Sequence, residues 1–373
     1  MLQPAHAAYS RERCVVDLKV DEGGTVYIVW APGSNRMDEL SKSFGGKPWK
    51  FSVFFKMKAS APIKYPVQAF KTLLFLQGEK PSIVVAQNPP IFAPLTCLVY
   101  AKLTRRLLWI DHHCVWSEKN LRQPILRHFV RLVEAVCCRN ADLNTAPHMS
   151  WALEIEKLNN GASALTIVDF VDEGWFRDAD LNVRRRMFPN YRWLLVAPCG
   201  GNPLERPDIA ARAAASFNDL ALAITGRREH LKKHVEDVER LKVNNVFFTD
   251  YLPERQYKGL MATCDAAVNI TDEPLTVPHF ICEALAAGKP VVSTPNPAVK
   301  SVYADNVLYV ERNDVESLKQ ALKRLLDNYD YYASKARKAY ERLRRMRIEQ
   351  EKTLKEVLEA KAKRKLAVSG ENG

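Results

Sequence analysis

Short apolar, β-branched runs alternate with helical stretches along nearly the whole chain, and this alternation constrains the fold more than any other feature. The strand candidates are TVYIVWA (25–31), FSVFF (51–55), SIVVAQ (82–87), LLWID (107–111) and LTIVDF (165–170). A second series follows: WLLVAP (193–198), ALAITG (221–226), NVFFTD (245–250), AAVNIT (266–271), PVVST (290–294) and VLYV (307–310). Helical patterns such as PVQAFKTLLFLQG and VESLKQALKRLLDN separate most of them. Near-continuous apolar strands joined by helices imply an α/β protein with parallel sheets covered on both faces. The candidates are too many for one doubly wound sheet, so two sheets of five or six strands are expected. The polar segment 171–190, which carries Gly and Pro, reads as the break. The expected division is a first domain over 1–170, a linker over 171–190, a second domain over 191–330, and a basic C-terminal helix and tail over 331–373. A chain of 373 residues has room for two ordinary domains.

Charge narrows the partners. The formal net charge is +12 and the pI about 9.2, so an anionic partner is expected. Nucleic acid fits poorly, because no basic patch is interleaved with aromatics at stacking spacing. A nucleotide phosphate and an anionic membrane surface remain. The eight cysteines (Cys14, Cys97, Cys114, Cys137, Cys138, Cys199, Cys264, Cys282) show no paired CxxC spacing. They read as free thiols in a reducing cytoplasm, with no metal and no cofactor implied. No secretory signal is visible, and no stretch approaches the roughly 18 apolar residues of a membrane span. The expected location is cytoplasmic.

One carboxylate is out of place. In TDEPLTVPHFICEALAAGKPVVST (271–294), a Pro-broken loop leads into a short apolar helix, and Glu283 stands among Ile281, Cys282, Ala284 and Leu285. An unpaired carboxylate in such company is costly. The helix starts near His279, and its first N–H groups face the strand ends, as a diphosphate site requires. About one turn further in, Glu283 can accept hydrogen bonds from both hydroxyls of a ribose. The bland alternative, a surface Glu on an amphipathic helix, lacks a polar face to sit on.

The same segment resembles the nucleotide-sugar segment of GT-B glycosyltransferases of the GT4-like group, which carry Glu-x7-Glu followed by Ala-x-Ala-x-Gly-x-Pro-Val. Glu283, Gly288 and Pro290 match; Leu275 stands where the first Glu falls. DFVDEGWF (169–176) is similar to the stretch between their domains, and ITGRREHLKK (224–233) to a strand followed by Gly and basic residues. VAPCGGNPLERPD (196–208) resembles the first loop of their donor domain, with Gly200, Gly201 and Arg206. The resemblance implies a donor site drawn from those residues, Arg227, Arg228, Lys232, Thr276, Val277, Pro278, His279 and Glu283, with cations neutralising the departing diphosphate. Any single one of these cations could equally be solvated.

The N-terminal half narrows the resemblance. Gln87-Asn88-Pro89-Pro90 before a helix, Ile110-Asp111-His112-His113 and ADLNT (141–145) are similar to motifs of the β-mannosyltransferases that add the first mannose to lipid-linked chitobiose. That family also lacks the first Glu and has Leu-Pro at Val277-Pro278. The resemblance implies GDP-mannose as donor and a polyprenyl-diphosphate-linked saccharide as acceptor. Asp111 and His113 end a strand, so either could take the acceptor proton or position the sugar. A structural pairing of His112 and His113 that caps the next helix is the alternative. In WAPGSNRMDELSK (30–42), Ser34 or Asn35 caps a helix. Gly33, Ser34, Asn35 and Arg36, with Asn88, are the acceptor-site candidates. Asp178-Ala179-Asp180 lies in the linker rather than at a strand end, so it reads as capping or solvated, and no metal is implied.

Residues 1–160 hold 21 Lys/Arg against 13 Asp/Glu, and residues 331–373 hold 13 against 6. YPVQAFKTLLFLQG and LRQPILRHFVRLVEAVCCR mix apolar stripes with basic residues. Core packing gives such stripes, and so does peripheral attachment to an anionic membrane. The expected protein is a GT-B glycosyltransferase, two Rossmann-like domains facing across a cleft. A retaining GT4-type enzyme using a UDP-sugar and a non-catalytic scaffold on the same fold are the rival readings.

Overall fold

The computed structural model describes residues 24–53, 61–113 and 123–370. The first sheet contains β1 (Thr25–Val29), β2 (Lys47–Lys50), β3 (Ile83–Asn88), β4 (Leu107–His112), β5 (Leu143–Ala146) and β6 (Leu165–Thr166). Their spatial order is β2-β1-β3-β4-β5-β6. The second contains β7 (Trp193–Pro198), β8 (Leu220–Thr225), β9 (Val246–Asp250), β10 (Ala266–Asn269), β11 (Val291–Ser293) and β12 (Leu308–Tyr309), in the order β12-β11-β10-β7-β8-β9. The strands run parallel. The helices between them are α1 (Asn35–Phe44), α2 (Ala61–Glu79), α3 (Phe92–Thr104), α4 (Pro124–Asn140), α5 (Met149–Leu158), α6 (Val183–Met187) and α7 (Pro207–Ala214). They continue as α8 (Lys232–Glu239), α9 (Glu254–Thr263), α10 (Phe280–Ala286), α11 (Pro297–Tyr303), α12 (Val315–Asp327) and the long α13 (Tyr329–Gly370). Two doubly wound parallel sheets with a long C-terminal helix are the architecture expected from the sequence.

Each sheet reverses its winding once. In the first the reversal lies between β1 and β3, and in the second between β7 and β10. Ligands of open α/β sheets bind at such switch points, beyond the carboxyl ends of the strands. The loops there are 30–34 and 89–91 in the first sheet, and 199–206 and 270–279 in the second.

The chain divides into two compact units, one of residues up to 110 with those from 353 onward, the other of residues 111–352. The strand pleat builds the core of the second unit. Leu195, Ala197, Leu222 and Ile224 face Ile209, Val235, Leu318 and Leu322 on one side. The neighbouring Leu194, Val196, Ala221 and Ala223 face Leu260, Ile281, Leu285 and Val299 on the other. Both faces being covered explains the unbroken apolar runs. In the first unit, fully buried Trp109 meets the edges of Phe44 and Tyr27, at 5.2 and 6.5 Å between ring centroids. Leu354 and Leu358 of α13 are buried, and Lys365 donates to the Arg106 carbonyl at 2.6 Å.

Two expectations are corrected. The second strand is Lys47–Lys50 rather than 51–55. It is an edge strand in register with Val26–Val29, and Phe51 N–H extends the ladder by donating to Val29 O at 2.9 Å; residues 54 and 55 lie outside the described residues. The strand expected over 165–170 stops at Thr166. Past Ile167, side chains of α13 take the backbone groups: Gln350 accepts from Val168 N–H at 2.8 Å and Arg347 donates to Val168 O at 2.7 Å. In the segment 171–190, Val171, Val183 and Phe188 sit in the core of the second unit. Within it Asp178 pairs with Lys258 at 3.0 Å and Asp180 with Arg186.

Candidate active site

Glu283 lies in the first turn of α10, and its side chain is 5% exposed. Both carboxylate oxygens have partners. The Tyr257 hydroxyl donates to Oε2 at 2.7 Å, and His279 Nδ1 donates to Oε1 at 2.9 Å. Burial, then the Glu283 charge beside it, pushes the Tyr257 phenol well above its ordinary range, so it stays a donor. A carboxylate has about four acceptor directions. Two donors therefore fix Glu283 and leave lone pairs for further hydroxyls. Nothing in the local sequence pattern singles out Tyr257, which reaches Glu283 from α9, 26 residues earlier.

The second-sheet switch point gathers the other donor candidates. The N–H groups of Gly200, Gly201 and Asn202 converge on the Glu205 carboxylate at 3.0, 2.9 and 3.1 Å. Gly201 has φ +87°, and a Cβ there would lie 2.8 Å from His230. The loop is tied to the one leaving β10, with Arg206 N–H donating to Ile270 O and Asp272 N–H to Leu204 O, each at 2.9 Å. The Arg206 guanidinium grips Asp208 through two bonds of 3.0 Å, lies 3.7 Å from Asp272 and also bonds Asn313. Its charge is thus locally balanced. Arg227 stacks over the Tyr251 ring at 4.4 Å, Arg228 pairs with Glu239, and Lys232 is exposed at the start of α8. Gly226 connects these loops, since a Cβ there would lie 2.2 Å from Cys199 O.

Residues 276–278 are half-buried in the loop before α10, with Thr276 O held by the Asn296 side chain at 3.1 Å. Leu275 packs against the buried Trp151, Ala152 and Ile155. His148 caps α5, its Nδ1 accepting from Trp151 N–H at 3.2 Å, which leaves Nε2–H to donate to Leu275 O at 3.1 Å. His148 and Glu205 were not marked by the sequence pattern.

The remaining candidates fall at the first sheet. Ser34 is the N-cap of α1, accepting from Met37 N–H at 3.3 Å; Gly33 and Asn35 are exposed, whereas Arg36 is buried. Asn88 is buried at the end of β3. Asp111 is fully buried and accepts from Thr145 Oγ1 at 2.7 Å; His113 follows β4 and is half-buried. His112 has a structural place. The Asn144 amide donates to Cys138 O at 2.9 Å, which turns its oxygen toward His112 Nε2 at 3.3 Å. Burial lowers the His112 pKa to about 4 from its ordinary 6.5. Unfolding at mildly acidic pH therefore adds a proton there. Stability is full above the unfolded value and is lost as pH falls toward the folded one, by roughly 3 kcal/mol across the window. Urea unfolding through that window should show a decline that His112→Gln lacks.

Among the described residues no helix is long and apolar enough to cross a membrane, and no group of three or more His, Cys, Asp and Glu could hold a metal ion.

The glycosyl transferases group 1 family matches residues 203–344, a segment containing Arg206, Arg227, Lys232 and Glu283. No curated protein sequence matches the chain. Among solved structures, Anabaena Alr3699/HepE in complex with UDP and glucose is 14% identical, with a TM-score of 0.71, over 90% of this chain and 100% of that chain. Sucrose-phosphate synthase (tll1590) from Thermosynechococcus elongatus is 10% identical, with a TM-score of 0.71, over 93% of this chain and 100% of that chain. A glycosyltransferase from Rickettsia africae ESF-5 is 14% identical, with a TM-score of 0.61, over 90% and 98%. Identities this low speak for the fold alone. Residues 203–344 thus carry the glycosyl transferases group 1 pattern, in a chain of GT-B fold.

Proposed function

We propose that this chain is a glycosyltransferase that takes mannose from GDP-mannose and adds it to a polyprenyl-diphosphate-linked saccharide at a membrane surface. The observation that carries the transferase reading is Glu283. A buried carboxylate held by two donors, on the helix that leaves the switch-point loop of the group 1 segment, suits the hydroxyls of a nucleotide ribose. In this reading the anomeric carbon–phosphate oxygen bond breaks and the acceptor hydroxyl oxygen bonds to that carbon. The hydroxyl proton passes to His113 or Asp111, and the nucleoside diphosphate leaves. Arg227 on the loop after β8 and Lys232 at the start of α8 meet the departing charge more freely than Arg206 and Arg228, which Asp208 and Glu239 already balance. The acceptor belongs with the first-sheet loops, at Gly33, Ser34, Asn35, Arg36 and Asn88.

The mannosyl and lipid-linked parts rest on the Gln-Asn-Pro-Pro and Asp-x-His resemblance. A UDP-sugar donor is the second reading, favoured by the UDP-bound state of the Anabaena structure. Thermal unfolding against GDP, UDP, GDP-mannose, UDP-glucose and UDP-GlcNAc separates the two. A ligand at about 100 times its Kd adds roughly 2.7 kcal/mol. Stabilisation by guanine nucleotides alone is expected. A response to UDP ligands alone moves the assignment to the second reading, and no response to any of them removes the donor site.

A further inference from the structure

Helix α4 has two apolar faces. Val130, Val133 and Cys137 are buried and supply the inner one. The outer one is unlike a solvated helix face: Ile125 is 87% exposed, Leu132 62%, Phe129 49%, and Leu126 and Val136 39% each. Positions 125, 129, 132 and 136 follow one another at spacings of four, three and four, so they form one stripe about 16 Å long on a helix rising 1.5 Å per residue. A surface helix that packs only inward carries polar residues there. At 100° per residue, His128 and Arg139 flank the stripe directly and Arg131 stands next to them; all three are exposed. Glu134 is the single acidic residue of α4, against Arg127, Arg131 and Arg139.

We propose that this face of α4 docks on an anionic lipid bilayer. The apolar stripe enters the boundary between headgroups and acyl chains, and the flanking cations meet lipid phosphates. The helix lies in the surface rather than across it, because its inner face belongs to the core and its arginines must stay at headgroup depth. A chain of net charge +12 adds long-range attraction to such a surface. A second copy fits less well, since an isologous contact sets a face flanked by cations against an identical one. The inference stands on α4 and does not depend on the identity of the donor.

The test is co-sedimentation of the full chain with vesicles of phosphatidylcholine alone and of a phosphatidylcholine–phosphatidylglycerol mixture. Binding to the mixture is expected, weaker by about tenfold or more on phosphatidylcholine alone or in high salt. The double variant Phe129→Glu/Leu132→Glu should lose at least about tenfold in partitioning while its Tm and its response to nucleotides stay as in the parent. Should that variant fold poorly, Leu132→Ser carries the same comparison. The proposal is overturned if the folded variant sediments like the parent, or if the parent ignores both kinds of vesicle. It is also overturned if the parent is a dimer that the substitutions make monomeric, which assigns the stripe to self-association.

Discussion

Glu283→Gln weakens nucleotide binding by about two orders of magnitude while leaving the fold in place. The substitution keeps the shape and one acceptor oxygen but removes the charge. A hydrogen bond to a charged group is worth about 1.5–3 kcal/mol against about 1 for a neutral pair, and a ribose offers two hydroxyls. Calorimetric titration with the nucleotide identified by thermal unfolding gives the Kd, and a melting curve of the same sample checks the fold. Tyr257→Phe is the informative companion. It removes one of the two donors that hold the carboxylate, so it should cost about 1 kcal/mol of stability and change nucleotide affinity only a few-fold. Glu283→Ala is the poorer test, because it strands the Tyr257 hydroxyl and moves stability together with binding. Parent-like nucleotide affinity in Glu283→Gln would mean that Glu283 is a structural partner of Tyr257 and His279 and nothing more.

Gly226→Ala should be one of the most damaging single methyls in the second unit. Gly226 has φ +148°, and an added Cβ would lie 2.2 Å from Cys199 O and 3.0 Å from Leu231 Cδ1. The first obstacle is backbone and cannot rotate away. Conformational strain and overpacking each cost about 1–3 kcal/mol, so a total of about 3 kcal/mol or more is expected. In a unit of this size that lowers Tm by roughly 6–12 °C. Relief of the clash displaces Cys199 and the Gly200–Asn202 amides beside it, so nucleotide affinity falls too. Gly78→Ala is the control: it stands within α2 with nothing within 4 Å of the added Cβ, so it should raise stability by about 0.5–1 kcal/mol. Equal melting temperatures for the two variants would show that the β8 loop and the β7 loop are not in contact as described.

Periodicity made the second sheet legible before its structure was known, because a strand buried on both faces is apolar throughout and cannot be mistaken for its flanking loops. Glu283 was legible for the opposite reason, as a charge where burial forbids one without partners. Its partners were not legible. Tyr257 comes from another helix, and a contact between helices leaves no mark at either position. Glu205 escaped because a Glu before Arg and Pro in a polar loop looks solvated, yet it holds three backbone amides. The shortened β6 escaped because its end is decided by Arg347 and Gln350, roughly 180 residues away. Apolar stripes on α4 were read equally as core or as surface, and only exposure separates the two.

The last helix has a consequence for synthesis. Residues 353–370 complete the first unit, and Lys365 reaches the Arg106 carbonyl 259 positions back along the chain. A ribosome delivers the strands of that unit early and its closing helix last. Domains that mature from the N-terminus onward bury their apolar surface as they emerge. Here Leu354 and Leu358 arrive only after the whole second unit has been made. The first unit therefore waits in the cell with part of its apolar surface uncovered. Ribosome-bound chains exposed only as far as Lys352 should be more sensitive to protease in the first unit than in the second.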